Sequence, residues 1–432
     1  MSTLPNLSYY EATAGERATP QPLAGRIDTH TCIVGAGFAG LGTAIGLIER
    51  GQRDVVVLEG ERVGHGASGR NGGFVFGGYS LDNADLLAQL GPERARAAYA
   101  LTRDALGTIR RRIDAHGIAC DKVEGGALLV NWFDEPAMLT RLQRLMHEAF
   151  GVEWRLIGKS ELEATHVRSD RYFGALLEPD AFHFHPLKYA LGLAQAIVAG
   201  GGRVHEQSAV RSVERRGAGW VVRTGAGEVH ARELVIAGGG YLRGLVPALE
   251  AAMLPIATYV MVTEPLGARR DRLIPSPAAI YDTRFAFDYY RVLPDTRLLW
   301  GGRINIRDRR PGDVARFLKA DLLRVYPSLA GLKVDFAWSG LMSYARHKMP
   351  QIGRLADGPC AGAWHAISFG GHGVAPTTVA GELLAAAIAE GRPIPESFGR
   401  YGLARTWGPL GLAAAQATYS WFETRDWWRA RG

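Results

Sequence analysis

The 432-residue chain has only three cysteines and six lysines, no internal repeat, no low-complexity tract, and no apolar run of the length that spans a bilayer. Cys32, Cys120 and Cys360 are too few and too scattered for a disulfide framework or a four-ligand zinc site, so they are expected to be reduced in a cytoplasmic protein. Residues 1–25 lack a basic stretch followed by an apolar one, and no export signal is expected. His65, His183 and His185 have no carboxylate or cysteine at ligand spacing, so no metal is expected. The net charge of +7 is carried almost wholly by arginine. A nucleic-acid binder would add a lysine-rich patch or a recognition motif, and neither is present. Glycine is abundant, at 55 residues, and 47% hydrophobic with 22% charged residues describes a globular chain of two or three domains.

The segment IDTHTCIVGAGFAGLGTAIGLIERG reads as strand, tight glycine turn and helix, with Leu41, Ala44, Ile45, Leu47 and Ile48 at helical spacing. Gly35-x-Gly37-x-x-Gly40 sits in the turn, and Glu59 closes the next strand, DVVVLE. Each part has a task in dinucleotide binding. Gly35 turns the chain, Gly37 admits backbone to the pyrophosphate, Gly40 lets helix pack on strand, and Glu59 accepts a ribose hydroxyl. Phe38 and Ala39 open the helix, whose amino terminus attracts phosphate. Immediately afterwards VGHGASGRNGG offers many backbone amides to a nucleotide, through Ser68, Gly69, Arg70, Asn71 and Gly72. Nicotinamide enzymes do not usually need this stretch, though a nicotinamide-dependent dehydrogenase is the alternative within redox chemistry. A second glycine loop, Gly370-Gly371-His372-Gly373-Val374, runs from strand into helix, and its amides can face negative charge developing on a flavin.

Residues 82–160 show mainly helical periodicity, and a second helix-strand series runs from His185 to about Leu242. The two strand-dense stretches are expected to join one sheet. Residues 255–308 alternate like antiparallel strands and are followed by a helix from Asp313 to Tyr326. The fold class expected is an α/β Rossmann-like nucleotide-binding domain, discontinuous in sequence, with an α+β substrate domain built on an antiparallel sheet. The boundaries read as 26–85, 170–250 and 335–396 for the first domain, 86–169 and 251–334 for the second, and 397–432 for an aromatic tail.

The segments SYYEATAG, CIVGAGFAGLGTAIGLIERG, VVVLEGERVGHGASGRNGG, DYYRVLPDTRLLWGGR, MPQIGRL and GGHGVAPTTVAG, in this order, resemble the D-amino-acid-oxidase-like flavoprotein superfamily. Within it they are most similar to the gamma-glutamylputrescine oxidase branch of FAD-dependent amine and amino-acid oxidoreductases. The resemblance implies an FAD-binding domain assembled from three segments, and hydride transfer from the carbon beside an amine to the flavin. It also implies that Ser68, Gly69, Arg70, Asn71 and Gly72 line the flavin, that Gly371, His372, Gly373 and Val374 sit by its pyrimidine carbonyls, and that Val210 offers backbone to the adenine.

Where the sarcosine-oxidase branch carries a flavin-tethering cysteine, SGLMSYARHKMPQIG has none, so non-covalent FAD is expected. Ala375 stands where that branch binds a carboxylate with lysine, and Leu298 and Leu299 replace its oxygen-activating lysine. The electron acceptor is therefore open between oxygen and a quinone. Tyr259, Tyr289, Tyr290 and Arg291, with Trp338, Tyr344, Arg346 and His347, are the candidates for holding substrate, the aromatics flanking an amine and an arginine pairing a carboxylate. Tyr259, Tyr289, Arg291 and His372 form the expected catalytic set. Two substrate classes fit: a cyclic secondary amino acid of the pipecolate or proline type, and a linear acylated polyamine of the gamma-glutamylputrescine type. The tail, with Trp407, Trp421, Phe422, Trp427 and Trp428 among arginines, suits either a peripheral contact with the inner face of a membrane or a helix packed on the substrate domain.

Overall fold

The computed structural model describes residues 4 and 5, 7–242 and 244–430. Val55–Leu58 is buried along its whole length, the signature of a parallel strand covered on both faces. It belongs to an eight-stranded sheet. The main path runs Gln351–Arg354, Trp364–Ile367, Gly227–Ile236, Gly25–Val34, Val55–Leu58, Arg203–His205. From Trp364–Ile367 to Arg203–His205 every pairing is parallel, and Gln351–Arg354 closes one edge antiparallel. Ser212–Arg216 and Gly219–Arg223 extend Gly227–Ile236 as an antiparallel meander. The strand-dense stretches do join one sheet, which draws on three separate parts of the chain.

Helices Phe38–Glu49 and Val374–Glu390 cover this sheet. They approach backbone to backbone: a Cβ on Gly381 would stand 2.5 Å from the Gly42 carbonyl carbon. Helix Pro92–Ala115 adds Ala98, Leu106 and Ile109 to the same core. Its residues therefore pack with the nucleotide-binding layer, although they fall within the 86–169 segment.

The second eight-stranded sheet runs Val334–Tyr344, Leu254–Thr263, Leu298–Asn305, Tyr289–Val292, Ala279–Asp282, Ala127–Val130, Ala175–Glu178, Arg155–Ile157. All its pairings are antiparallel except Ala279–Asp282 with Ala127–Val130. One face packs Trp300, Tyr290 and Tyr259 against helix Pro311–Val325, and the other overlooks the first sheet's loops. Ala175–Glu178 and Val334–Tyr344 join this sheet, although the sequence reading groups 170–250 and 335–396 with the nucleotide-binding part. A strand's sheet is set by the partner that satisfies its backbone hydrogen bonds, which segment composition does not encode. Among the described residues no helix is long and apolar enough to cross a membrane.

Candidate active site

A cavity of about 1040 Å³ opens between the two sheets. Small-molecule pockets run to roughly 300–1,000 Å³, so this one has room for a cofactor and a substrate together. Its floor is backbone. Gly35 has φ +108°, and a Cβ there would meet the Ala237 carbonyl oxygen at 2.7 Å. A Cβ on Gly40 would meet the Gly35 oxygen at 1.9 Å, so Gly40 is the contact that lets helix Phe38–Glu49 sit against the turn. Gly37, Phe38 and Ala39 line the cavity at that helix's amino terminus, where the helix dipole favours an anion. The Phe38 N–H donates to Ser68 Oγ at 2.8 Å, which ties the first glycine turn to the second.

Glu59 lines the cavity at the end of Val55–Leu58. Its Oε2 accepts from the Ala36 N–H at 2.8 Å and its Oε1 from the Glu61 N–H at 2.9 Å. Burial raises its pKa, and the two N–H groups partly offset that. Each oxygen keeps a lone pair for a hydroxyl donor. Beside it, Val210 and Ala209 complete the wall.

The loop from His65 to Gly73 braces itself. Asn71 Nδ2 donates to the Ala67 and Ser68 carbonyls at 3.0 and 2.9 Å, and its Oδ1 accepts from the Gly73 N–H at 2.8 Å. Arg70 Nε donates to the His65 carbonyl at 2.8 Å, and Trp338 Nε1 donates to the Arg70 carbonyl at 2.9 Å. Ser68, Arg70, Asn71 and Gly72 line the cavity, whereas Gly69 does not. A Cβ on Gly69 would stand 2.3 Å from the Gly64 oxygen, so its task is packing. Across the cavity Gly371, His372, Gly373 and Val374 enter helix Val374–Glu390. The His372 ring meets Phe76 edge-on at 4.1 Å, and its Nε2–H donates to the Phe76 carbonyl at 3.3 Å. Burial lowers its pKa to about 4, so the imidazole is neutral at pH 7.

The expected substrate-holding residues divide. Tyr289 lines the cavity beside Gly72, where a Cβ would come within 2.7 Å of its ring. Tyr344 and Arg346 also line it, with Arg346 over the Trp407 ring at 4.8 Å. Tyr259 does not: strand alternation turns Thr258 inward and Tyr259 into the opposite core, where its hydroxyl donates to the Arg307 carbonyl at 2.6 Å. Arg291 is likewise outside the cavity. It is 1% exposed and runs beneath the Gly72–Gly73 turn, donating to the Gly72 carbonyl at 2.7 Å, the Phe184 carbonyl at 2.8 Å and the Tyr10 hydroxyl at 3.2 Å. Its Nη1 donates to His183 Nδ1 at 3.2 Å, a ring that burial keeps neutral by lowering its pKa to about 3. Arg291 thus holds the loop, and the N-terminal SYYEATAG motif, to the sheet. Tyr290, Trp338 and His347 are not lining residues either.

The glycine turns, the buried acid and the paired loops make a cradle suited to an extended dinucleotide whose phosphates meet a helix terminus. A family model described as "DAO: FAD dependent oxidoreductase" matches residues 30–387. The chain belongs to this family. It is 38% identical over 380 residues to the Gamma-glutamylputrescine oxidoreductase of Escherichia coli, covering 88% of each chain. It is 31% identical to a Probable oxidoreductase OrdL of Haemophilus influenzae over 91% of this chain and 92% of that one. Among solved structures, glycine oxidase from Geobacillus kaustophilus superposes with a TM-score of 0.73 at 20% identity, covering 88% of this chain and 99% of that one.

The protein is an FAD-dependent oxidoreductase; Gly35, Gly37, Glu59, Ser68, Arg70, Asn71, Gly72, Gly371, His372, Gly373 and Val374 line the cavity and would hold that cofactor. None of the three cysteines lines the cavity.

Sequence reasoning missed a set of lining residues that reach the cavity from distant segments. Phe74 and Phe76 face it from the short strand after the glycine-rich loop and the residue that follows it, and Glu178, Tyr281, Phe285 and Phe287 from the second sheet and its connections. Helix Pro409–Arg429 presents Ala414, Ala415, Thr418, Tyr419 and Phe422 as a further wall, with Phe422 4.4 Å from Phe285. Of the two readings of the tail, packing on the substrate domain is visible in these contacts. The three-to-four spacing of 411, 414, 415, 418, 419 and 422 was the available signal.

Proposed function

We propose that this enzyme oxidises the C–N bond of a linear amine bearing a polar acyl head, of the gamma-glutamylputrescine type, to an imine. The observation that carries this reading is the 38% identity, over 88% of both chains, to a protein of that name. Bound FAD supplies the two-electron acceptor that takes the hydride from the carbon beside the amine. The chain's own task is to bind, orient and dry the substrate. Tyr289, Phe74, Phe76 and Tyr281 give one wall a run of apolar surface for a methylene chain, and the tail helix closes another side.

A cyclic secondary amino acid such as proline or pipecolate is the competing substrate. Of the two arginines expected to pair its carboxylate, Arg291 is committed elsewhere, while Arg346 lines the cavity. Anaerobic titration of the purified protein decides between them. Bleaching of the flavin bands by gamma-glutamylputrescine, and not by proline or pipecolate, is the expected outcome; the reverse pattern would overturn the assignment.

The acceptor is read from the tail. Leu410, Trp421 and Trp428, spaced 11 and 7 apart, are 77%, 67% and 65% exposed and form one row of helix Pro409–Arg429. That row supports peripheral contact with the cytoplasmic face of a membrane and a quinone as acceptor. Co-flotation with anionic vesicles, and slower recolouring in air than with a soluble quinone, are the expected results. Rapid recolouring in air would assign oxygen instead.

A further inference from the structure

We propose that Glu178 and Trp154 form a head-group site that takes a second, cationic nitrogen of the substrate, together with an acceptor beside it, apart from the amine that is oxidised. The proposal rests on the amine-oxidising reading above and names what the far end of the substrate must be.

Strand Ala175–Glu178 pairs Leu177 with Arg155 and Glu178 with Ala127. Trp154, one residue before Arg155, therefore stands across from Glu178 on the same side of the sheet, and side chains so placed are neighbours. Both line the cavity, and they are 5% and 7% exposed. Glu178 Oε1 accepts from the Gly77 N–H at 3.0 Å. Glu178 Oε2 and Trp154 Nε1 have no partner among the described residues. Buried polar atoms are nearly always paired, and here two complementary ones stand unpaired on one cavity wall.

Their chemistry selects the ligand. A carboxylate oxygen accepts from a cation, and an indole N–H donates to an anionic or carbonyl oxygen. An anion alone would be repelled by Glu178. A simple amine would leave the indole unpaired. An α-amino-acid head satisfies both, its ammonium on Glu178 and its carboxylate on Trp154. Burial raises the Glu178 pKa to about 7, so a bound ammonium would hold it in the charged form. The route to the head site is aromatic. Ring centroids run from Tyr289 to Phe74 at 5.5 Å, Phe74 to Phe76 at 6.3 Å, and Phe76 to Tyr281, stacked at 5.3 Å. This row starts beside Gly72, in the cofactor loop, and reaches the Gly77 amide that Glu178 holds.

The test uses the holoenzyme and two probes, gamma-glutamylputrescine and N-glutarylputrescine, which differ only in the α-ammonium. Wild type should favour the first by roughly 10- to 100-fold in kcat/KM, the size expected for a hydrogen bond to a charged group. Glu178→Gln should bring that ratio close to one, with the loss in KM, and Trp154→Phe should raise KM for both probes several-fold. Retained flavin absorbance and melting temperature show that the variants fold. A ratio unchanged in Glu178→Gln, or an equal fall in kcat for both probes, would overturn the proposal. If neither probe bleaches wild type, the substrate reading fails and the head site is tested alone. L-glutamine at millimolar concentration should then raise the melting temperature of wild type and not of Glu178→Gln, and no shift in wild type would overturn it.

Discussion

The floor and the far wall of one cavity are built in opposite ways. The floor is backbone: Gly35, Gly37 and Gly40 lie within six positions and Glu59 follows one strand later, so the residues that shape it are close in sequence even where they press on distant partners such as Ala237 and Ser68. The far wall is side chain. Phe76, Glu178, Tyr281, Phe285 and Tyr419 reach it from four separate parts of the chain. The difference teaches where tolerance lies. A backbone cradle fails when any Cβ intrudes, whereas a side-chain wall can be re-cut one residue at a time, so the floor can stay fixed while the substrate changes.

The largest expected effect tests the floor. Gly40→Val places carbon where the Gly35 carbonyl oxygen lies 1.9 Å from the Cβ. It should cost about 3 kcal/mol or more and strip the flavin. A yellow protein of unchanged melting temperature would show that the turn can relax.

Arg291→Met distinguishes a brace from a substrate contact. Removing the buried guanidinium orphans the Gly72 and Phe184 carbonyls and should cost about 2–4 kcal/mol. Melting temperature and flavin content should fall together. A rise in KM at unchanged stability would instead return Arg291 to the substrate.

The wall is tested through pH. The Glu178 pKa is raised in the folded protein, from 4.5 to about 7. Its folding contribution is therefore complete below the unfolded value and is lost as pH rises through the folded one. Relative to Glu178→Gln, the wild-type holoenzyme should lose on the order of 3 kcal/mol between pH 4.5 and 7, and no more above. Binding of an ammonium follows the opposite sign and should tighten over the same window. Arg103 and Asp180, which act on Glu178 in opposite directions, and the titratable Tyr99 and Tyr281 are the other groups facing it. Urea melts from pH 4 to 8 measure the first effect, and KM against pH the second.

Smaller effects belong to the tail. Tyr419→Ala with Phe422→Ala should open the wall, raise KM about tenfold and cost about 1–2 kcal/mol, because these rings are only partly buried. Trp421→Ser, on the exposed row, should change stability by no more than about 0.5 kcal/mol and weaken only vesicle binding.

Much of the floor was legible because its requirements are local. A glycine fingerprint between strand and helix, an acid at the next strand end and a second glycine loop name a dinucleotide cradle without any knowledge of distant contacts. Within the same set, Gly40 and Gly69 pack and do not line, a distinction that appears only when the opposing carbonyls are placed. The wall was barely legible. Tyr259 and Tyr289 both look like sheet aromatics, yet one faces the cavity and the other the opposite core, since a strand's inward face depends on its register. Arg291 shares Tyr289's side of its strand and still misses the cavity, because the Gly72–Gly73 turn lies over it.

The sequence by itself determined the cofactor class and the opening strand, glycine turn, helix and strand of the parallel sheet, since glycine geometry and hydrophobic period act over a few residues. Only the tertiary structure decided which strands enter the second sheet, which aromatics meet around the cavity, and that Glu178 stands beside Trp154. Those outcomes depend on backbone pairings between segments as much as about 150 residues apart in sequence, such as Ala279–Asp282 with Ala127–Val130 and Val334–Tyr344 with Leu254–Thr263. No local pattern carries that information, because a strand presents the same donors and acceptors to any partner that reaches it.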